Sequence, residues 1–386
     1  MSITAAKGFS AAGVACGIKP ESLDLALIVA DQPAITAAVF TQNQAAAAPV
    51  LSSRASLHHS HLKRGIVVNS GCANAATGVQ GMQNAVGMSA ALAAEIDCEP
   101  EDVLVCSTGT IGPQLPMDRV AHGIKIAVPA LDSGPDSGAL CATAIMTTDS
   151  VVKQSVVKRD GWVIGGMSKG AGMMRPNMAT MLAFITTDAI VGPERLGDVL
   201  GAAVDVSFNS LNIDGCESTN DTVIAMASGE SGVAPDPIAF ASAMEGLCRD
   251  LALQMARDAE GASRVVTIDV VGVLDDSRAR YLGRLVADTA LVRSSFYGGD
   301  VNWGRILSAL GTAEVDVDPD IISISYQGVE VFSSGAQTDY DEAALLDEME
   351  DGDLAVGIDI GGGSGTARIV TTDLTPEYVI FNGERS

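Results

Sequence analysis

Histidine is nearly absent from this chain: four in 386 residues, at positions 58, 59, 61 and 122. A serine or cysteine triad needs a histidine beside its nucleophile, which narrows that chemistry to whatever the fold brings near one of these four. His122, in "DRVAHGIKIAV", reads as an ordinary helix face, and "SLHHSHLKRG" offers no cysteine or carboxylate at a metal-ligand spacing, so no metal site is expected. Seven cysteines form no C-x-x-C pair and leave an odd one over, which speaks against a disulfide framework or a zinc site and for reduced thiols. Basic residues are also scarce, 23 against 48 acidic, for a formal charge of -25. Such a chain repels phosphate backbones and anionic lipid, so nucleic acid and membrane surfaces are not expected partners, and an anionic small substrate would need a local basic pocket. No run approaches the roughly 18 apolar residues of a membrane span, and the N-terminus lacks the pattern of a signal peptide. A cytoplasmic protein is expected.

What the chain does have is apolar residues, 47% of the total, and 41 glycines, enough for a large core with many tight turns. Short β-rich runs recur: "DLALIVA", "ITAAVFT", "GIVVNSG", "DVLVCSTG", "SRVVTIDVVGV", "IISISYQG", "DLAVGIDIG" and "GTARIVTTDLT". Several are almost continuously apolar, as strands covered on both faces are. Between them "GMQNAVGMSAALAAEI", "GPERLGDVLGAAVDVSF" with Pro193 in its first turn, and "DPIAFASAMEGLCRDLALQMARDAE" have helical periodicity. The acidic "DYDEAALLDEMEDGD" reads as a solvated helix with its turn. The fold class is therefore α/β (α+β), with mixed β-sheets layered against helices. The "GGGSG" segment at 361–365 lacks the Lys-Ser/Thr ending of a phosphate loop and reads as a hairpin turn.

A nucleophile that needs no histidine is an N-terminal threonine, whose own α-amino group can serve as base. In "KGAGMMRPNMATMLAFITTDA" two glycines and a proline precede Thr180, at the mouth of an apolar run. Attack of its hydroxyl on the preceding carbonyl would cut the Ala179–Thr180 bond and free that amino group. The residues alone leave a second reading open, in which Thr180 only begins a strand.

This stretch resembles the self-cleavage region of the ornithine acetyltransferase family, whose members are also called glutamate N-acetyltransferases. The resemblance continues through "KGFSAAGVACGIK", "AAVFTQN", "NSGCANAATG", "VCSTGTIG", "AIMTTDS", "NIDGCESTNDTV", "DAEGASR", "GGDVNWGRI" and "TTDLTPEYVIFN". It implies the layered, N-terminal-nucleophile fold of that family, with cleavage into an α chain of residues 1–179 and a β chain of 180–386. It implies an (αβ)2 heterotetramer. It further implies that Thr180 takes the acetyl group of N2-acetyl-L-ornithine and passes it to L-glutamate in a ping-pong cycle of arginine biosynthesis, with no cofactor. Acetyl-CoA stays open as an additional donor.

Residue by residue, the resemblance puts Thr108 and Gly109 of "CSTGTIG" at the oxyanion, where a turn after a strand can converge N–H and hydroxyl groups. The same glycine read alone is a turn residue. A threonine of "MTTD", Thr147 in preference to the adjacent Thr148, together with Lys169 and Glu260 matches substrate-binding positions, a cation and an anion suiting an amino-acid substrate. Asn382 and Ser386 match the residues that close the site, although the ending "FNGERS" is one residue short of the family pattern and lacks its aromatic. Cys216 reads as a small packing residue and Trp303 as the anchor of a turn. Two rival functions remain: an amide hydrolase like the related β-peptidyl aminopeptidases, and a non-catalytic binding paralogue.

Overall fold

A computed structural model describes residues 2–175, 181–350 and 352–384. The chain divides into two compact units, residues 1–209 with 216–255, and residues 210–215 with 256–386.

The first unit contains β1 (Phe9–Val14), β2 (Leu25–Phe40), β3 (Leu62–Cys72), β4 (Val103–Thr110), β5 (Lys153–Arg159), β6 (Trp162–Lys169), β7 (Leu182–Thr187) and β8 (Thr222–Ala227). Its helices are α1 (Ala48–His59), α2 (Gly78–Ile96), α3 (Met117–Ala127), α4 (Pro135–Ala144), α5 (Pro193–Asp205) and most of α6 (Pro237–Arg257). The strands run in the order β4-β3-β2-β8-β7-β6-β5, with β1 also paired to β2. Two runs that read as separate strands, "DLALIVA" and "ITAAVFT", are the two halves of β2. β1 pairs with its first half, β8 pairs with Ile35–Phe40 in its second, and the β3 ladder runs along the first half and resumes at Ala34 and Ile35 after a register shift.

Strands far apart in the order share one core, so the sheet doubles into two layers. Alternation along the strands divides the side chains of each between two cores. Leu25 and Leu27, Val67, and Val103 and Val105 meet Met88 and Leu92 of α2 and Val120 and Ile124 of α3. Their neighbours Ala26 and Ile28, Ile66 and Val68, and Leu104 and Cys106 meet Met167, Leu182, Phe184, Ile224 and Met226 of the other layer. On the outer side of that second layer, Trp162 of β6 lies 5.7 Å from Phe240 of α6, ring centre to ring centre. A Cβ at Gly166 would stand 2.9 Å from a Leu247 methyl of α6, so any larger residue there would have to push that side chain aside.

The second unit carries β9 (Val265–Val273), β10 (Ser323–Tyr326), β11 (Val329–Ser333), β12 (Ala336–Gln337), β13 (Leu354–Asp359) and β14 (Gly365–Thr372), in the order β12-β11-β10-β13-β9-β14. Its helices are α7 (Asp276–Asp288), α8 (Ala290–Tyr297), α9 (Trp303–Leu310), α10 (Glu342–Glu350) and α11 (Pro376–Glu384). Leu282 and Val286 of α7, Phe296 of α8 and Ile306 of α9 cover Val266, Ile268 and Val270 of β9 in one core. Trp303 opens α9, just after the turn it was expected to anchor, and stacks on Phe332 at 4.7 Å.

The α/β layering and the three periodic helices match the sequence reading. The 361–365 segment does not: β13 and β14 flank β9 and do not pair, so the connection crosses the end of β9 and is no hairpin. Its glycines serve close approach, since a Cβ at Gly363 would stand 2.1 Å from the Val273 carbonyl. Cys216 is exposed rather than packed in a core. All seven cysteines are free thiols.

Phe184 is fully buried between the two layers of the first unit. Phe184→Ala should cost about 3–5 kcal/mol. Each unit has one tryptophan, so urea unfolding followed by Trp162 fluorescence in a Trp303→Phe background reads that loss in the first unit.

Candidate functional site

β3 and β4 run parallel and end together, and their ends build the first part of the site. Gly109 has φ +129°, and a Cβ on it would stand 2.3 Å from the Gly71 carbonyl carbon, so only glycine fits where the two strand ends touch. Asn69 donates its side-chain amide to the Cys72 carbonyl at 2.8 Å and accepts the Ser107 hydroxyl at 2.6 Å. Asn220, two residues before β8, donates to the Ala73 carbonyl at 2.6 Å and to the Ser107 carbonyl at 2.9 Å. Three strands are thus tied beside Thr108, which is 3% exposed.

Lys169, the last residue of β6, is 1% exposed, and its ammonium donates to Thr108 Oγ1 at 3.2 Å. Thr108 and Lys169 lie on strands five places apart in the sheet order, and the folding of the sheet into two layers brings them together. With one lone pair of Oγ1 taken by the ammonium, the hydroxyl proton points elsewhere and remains a donor.

Asp149 organises the charges around Lys169. One carboxylate oxygen pairs with Lys153 Nζ at 2.7 Å and accepts the Gly170 amide at 2.7 Å; the other accepts the Thr147 amide at 3.0 Å. Both side chains of the pair are fully buried. Burial pushes the carboxyl up, but Lys169, Lys153 and these hydrogen bonds outweigh it and hold the pKa at about 2. Lys19 is nearby, donating to the Met146 carbonyl at 2.8 Å. Burial pulls its ammonium below the usual lysine range, Lys169 adding to the effect and Asp24 and Asp149 opposing it. In a chain with a charge of -25, Lys19, Lys153 and Lys169 around Asp149 make a local concentration of positive charge.

Of the residues expected at a site, Thr108, Gly109, Thr147 and Lys169 lie in the first unit, where Thr108 touches Lys169 and Thr147 connects to it through Asp149. Glu260 and Asn382 belong to the second unit. Glu260 is half-buried in the turn before β9, where the Gly261 carbonyl accepts the Thr375 hydroxyl beside the start of α11. Asn382 is exposed on α11 and donates to the Tyr378 carbonyl at 3.1 Å. Ala179, Thr180 and Ser386 lie outside the described residues. Asp149, Lys153, Lys19 and Asn220 were not singled out from the sequence. "MTTD" followed by a lysine four residues after its aspartate was the available signal for the first two.

The sequence profile of the ArgJ family matches residues 10–386. The chain belongs to the ArgJ family. It is 43% identical to the arginine biosynthesis bifunctional protein ArgJ of Thermobifida fusca and 44% identical to that of Streptomyces coelicolor, in both cases across 100% of either chain. The crystal structure of an ornithine acetyltransferase complexed with ornithine from Mycobacterium tuberculosis is 42% identical, covering 45% of this chain and 94% of that one, with a TM-score of 0.44. Among the described residues no group of three or more His, Cys, Asp or Glu side chains is placed to hold a metal ion, and no helix is long and apolar enough to cross a membrane.

Asp149→Asn leaves Lys153 buried without its counter-charge and should destabilise the protein by about 3–5 kcal/mol. Because the folded carboxyl titrates at about 2 against an ordinary 3.8, its contribution is complete above about pH 4 and is lost as pH falls toward 2. Acid unfolding of the variant should therefore be less steep across that window than that of the native protein, as read by circular dichroism.

Proposed function

We propose that this ArgJ-family protein is a self-processing acetyltransferase of arginine biosynthesis that moves acetyl from N2-acetyl-L-ornithine to L-glutamate. The observation that carries the reading is the Thr108 hydroxyl, fixed by Lys169 with its proton left to donate, beside a glycine at the end of a parallel strand. Such a hydroxyl suits the oxyanion of a tetrahedral acyl-transfer intermediate.

In this reading the Ala179–Thr180 bond is cut, and the α chain of 1–179 and the β chain of 180–386 stay together in an (αβ)2 assembly. The freed amino group of Thr180 takes the proton of its own hydroxyl as Oγ attacks the acetyl carbonyl. Thr108 and the Gly109 amide stabilise the oxyanion; the C–N bond then breaks, and ornithine leaves with the proton. The glutamate amine attacks the acetyl ester, the ester C–O bond breaks, and Thr180 recovers its proton as N-acetylglutamate leaves. Lys169, aided by Thr147, attracts the α-carboxylate of each amino acid, and Glu260 attracts the ammonium of ornithine. Asn382 and Ser386 close the site. The setting is the cytoplasm, and acetyl-CoA is a second donor to be tested alongside acetylornithine.

Intact mass under denaturing conditions tests the first step: native protein should give two fragments, and Thr180→Ala a single chain. Acetylornithine with glutamate should then yield N-acetylglutamate; release of acetate with no transfer would mark a hydrolase instead. Thr108→Ala should lower kcat by about 10²–10³ in cleaved protein, the usual cost of one oxyanion donor. A loss below threefold would remove Thr108 from that role.

A further inference from the structure

Two of the ordered motifs, "DAEGASR" with Glu260 and "TTDLTPEY" at the start of α11, meet in the second unit. The first makes a tight turn with Glu260 and Gly261 at its corners, closed by the Ala262 amide donating to the Ala259 carbonyl at 3.1 Å. Gly261 has φ +66°, the left-handed value that favours glycine at the second corner. A Cβ on it would stand 2.3 Å from the Tyr378 amide nitrogen, so the turn lies directly against the first turn of α11.

The second motif grips that turn through buried side chains. Asp373, 2% exposed, accepts the Ser263 and Arg264 amides at 3.0 and 3.3 Å on one carboxylate oxygen and the Ser263 hydroxyl on the other. Arg293 of α8 fixes the segment behind it, donating to the Thr372 carbonyl at 2.9 Å and the Asp373 carbonyl at 3.0 Å. One hydroxyl then joins the two motifs. Thr375, 3% exposed, donates to the Gly261 carbonyl and accepts the Tyr378 amide at 3.1 Å, which caps α11. None of these bonds engages the Glu260 carboxylate.

A turn at a surface has few contacts of its own to hold it still. Here the carbonyl next to Glu260 is fixed by a buried hydroxyl and the following amides by a buried carboxylate, while the glutamate side chain stays out of the network. Fixed backbone under an unengaged charge is what recognition of an opposite charge requires, because a partner misplaced by an ångström loses much of its effect. We propose that Thr375, with Asp373 behind it, is a positioning residue that holds Glu260 where it reads the δ-ammonium of N2-acetyl-L-ornithine. The inference rests on the acetyltransferase reading above, in which Glu260 attracts that ammonium.

The test measures kcat/KM for acetyl transfer to glutamate from N2-acetyl-L-ornithine and from N2-acetyl-L-norvaline, which lacks the δ-amine. Native protein is compared with Glu260→Gln, Thr375→Val, Thr375→Ser and the variant carrying both Glu260→Gln and Thr375→Val. Both donors are measured on one preparation, so a loss of folded protein cancels in their ratio. Glu260→Gln should cut the native preference for acetylornithine by about tenfold or more, the loss of a charge-assisted hydrogen bond. Thr375→Val should cut it by about fivefold or more, through KM for acetylornithine, and Thr375→Ser should keep it within about twofold of native. In the double variant the two losses should not add, because both remove one interaction. A preference lowered in Glu260→Gln but unmoved in Thr375→Val overturns the proposal alone. So does an equal fall for both donors in Thr375→Val, which would make the hydroxyl only structural, and so do additive losses in the double variant. If Glu260→Gln keeps the native preference, or native protein has none, the reading of Glu260 fails and the proposal falls with it.

Discussion

The arrangement around Lys169 depends on one buried carboxylate. Asp149 is closed off from water, yet it stays ionised because two lysines and two backbone amides converge on it. The three donors belong to segments around the site, Thr147 after α4, Lys153 as the first residue of β5 and Gly170 directly after β6, while Lys169 at the end of β6 acts on Asp149 through its charge. Taking two charges out of water is costly, and the cost is offset only when geometry and further hydrogen bonds are good. Lys169 adds its charge to that balance and donates to Thr108, so the neutralisation of the aspartate and the contact with the threonine share one cation.

Asn220 performs a comparable task with a neutral group. Its side-chain amide spans two carbonyls, one after β3 and one in β4, that no ladder hydrogen bond from β8 could reach. Parallel strands that end side by side leave carbonyls and amides unmet at their tips, and a side-chain amide at the right place satisfies them without adding charge. With Gly71 and Gly109 in contact, the result is a stiff corner built from small groups, with the one hydroxyl aimed by a cation.

Much of this was legible from the sequence. Apolar runs and helical periodicity report burial directly, so the sheets, α2, α5 and α6 could be read from local pattern. The two halves of β2 could not be joined that way, because the exposed "DQP" in its middle has the composition of a loop while the backbone stays extended. The hairpin at 361–365 failed for a related reason: glycines mark tight passage, and whether that passage is a turn or a crossing over another strand depends on partners far along the chain. Thr108, Gly109, Thr147 and Lys169 were visible through ordered motifs. The charges that set their geometry were not, since Lys19, Asp149 and Lys153 look in sequence like ordinary surface residues and become significant only through burial.

The pairing of β6 with β7 has a consequence of its own. Six residue pairs, from Ile164 with Thr187 to Lys169 with Leu182, join segments that lie on opposite sides of residue 180. While the chain is whole, the register of this ladder is found within one molecule, where the short tether keeps the two strands at high local concentration. A break at that point would erase the tether while leaving the ladder. The finished molecule would then hold an arrangement that its two pieces, mixed afresh, would have to rediscover by collision, with strand edges exposed meanwhile. Were the chain cut there, the order of events would become part of the structure: fold first, cut second, and no simple road back.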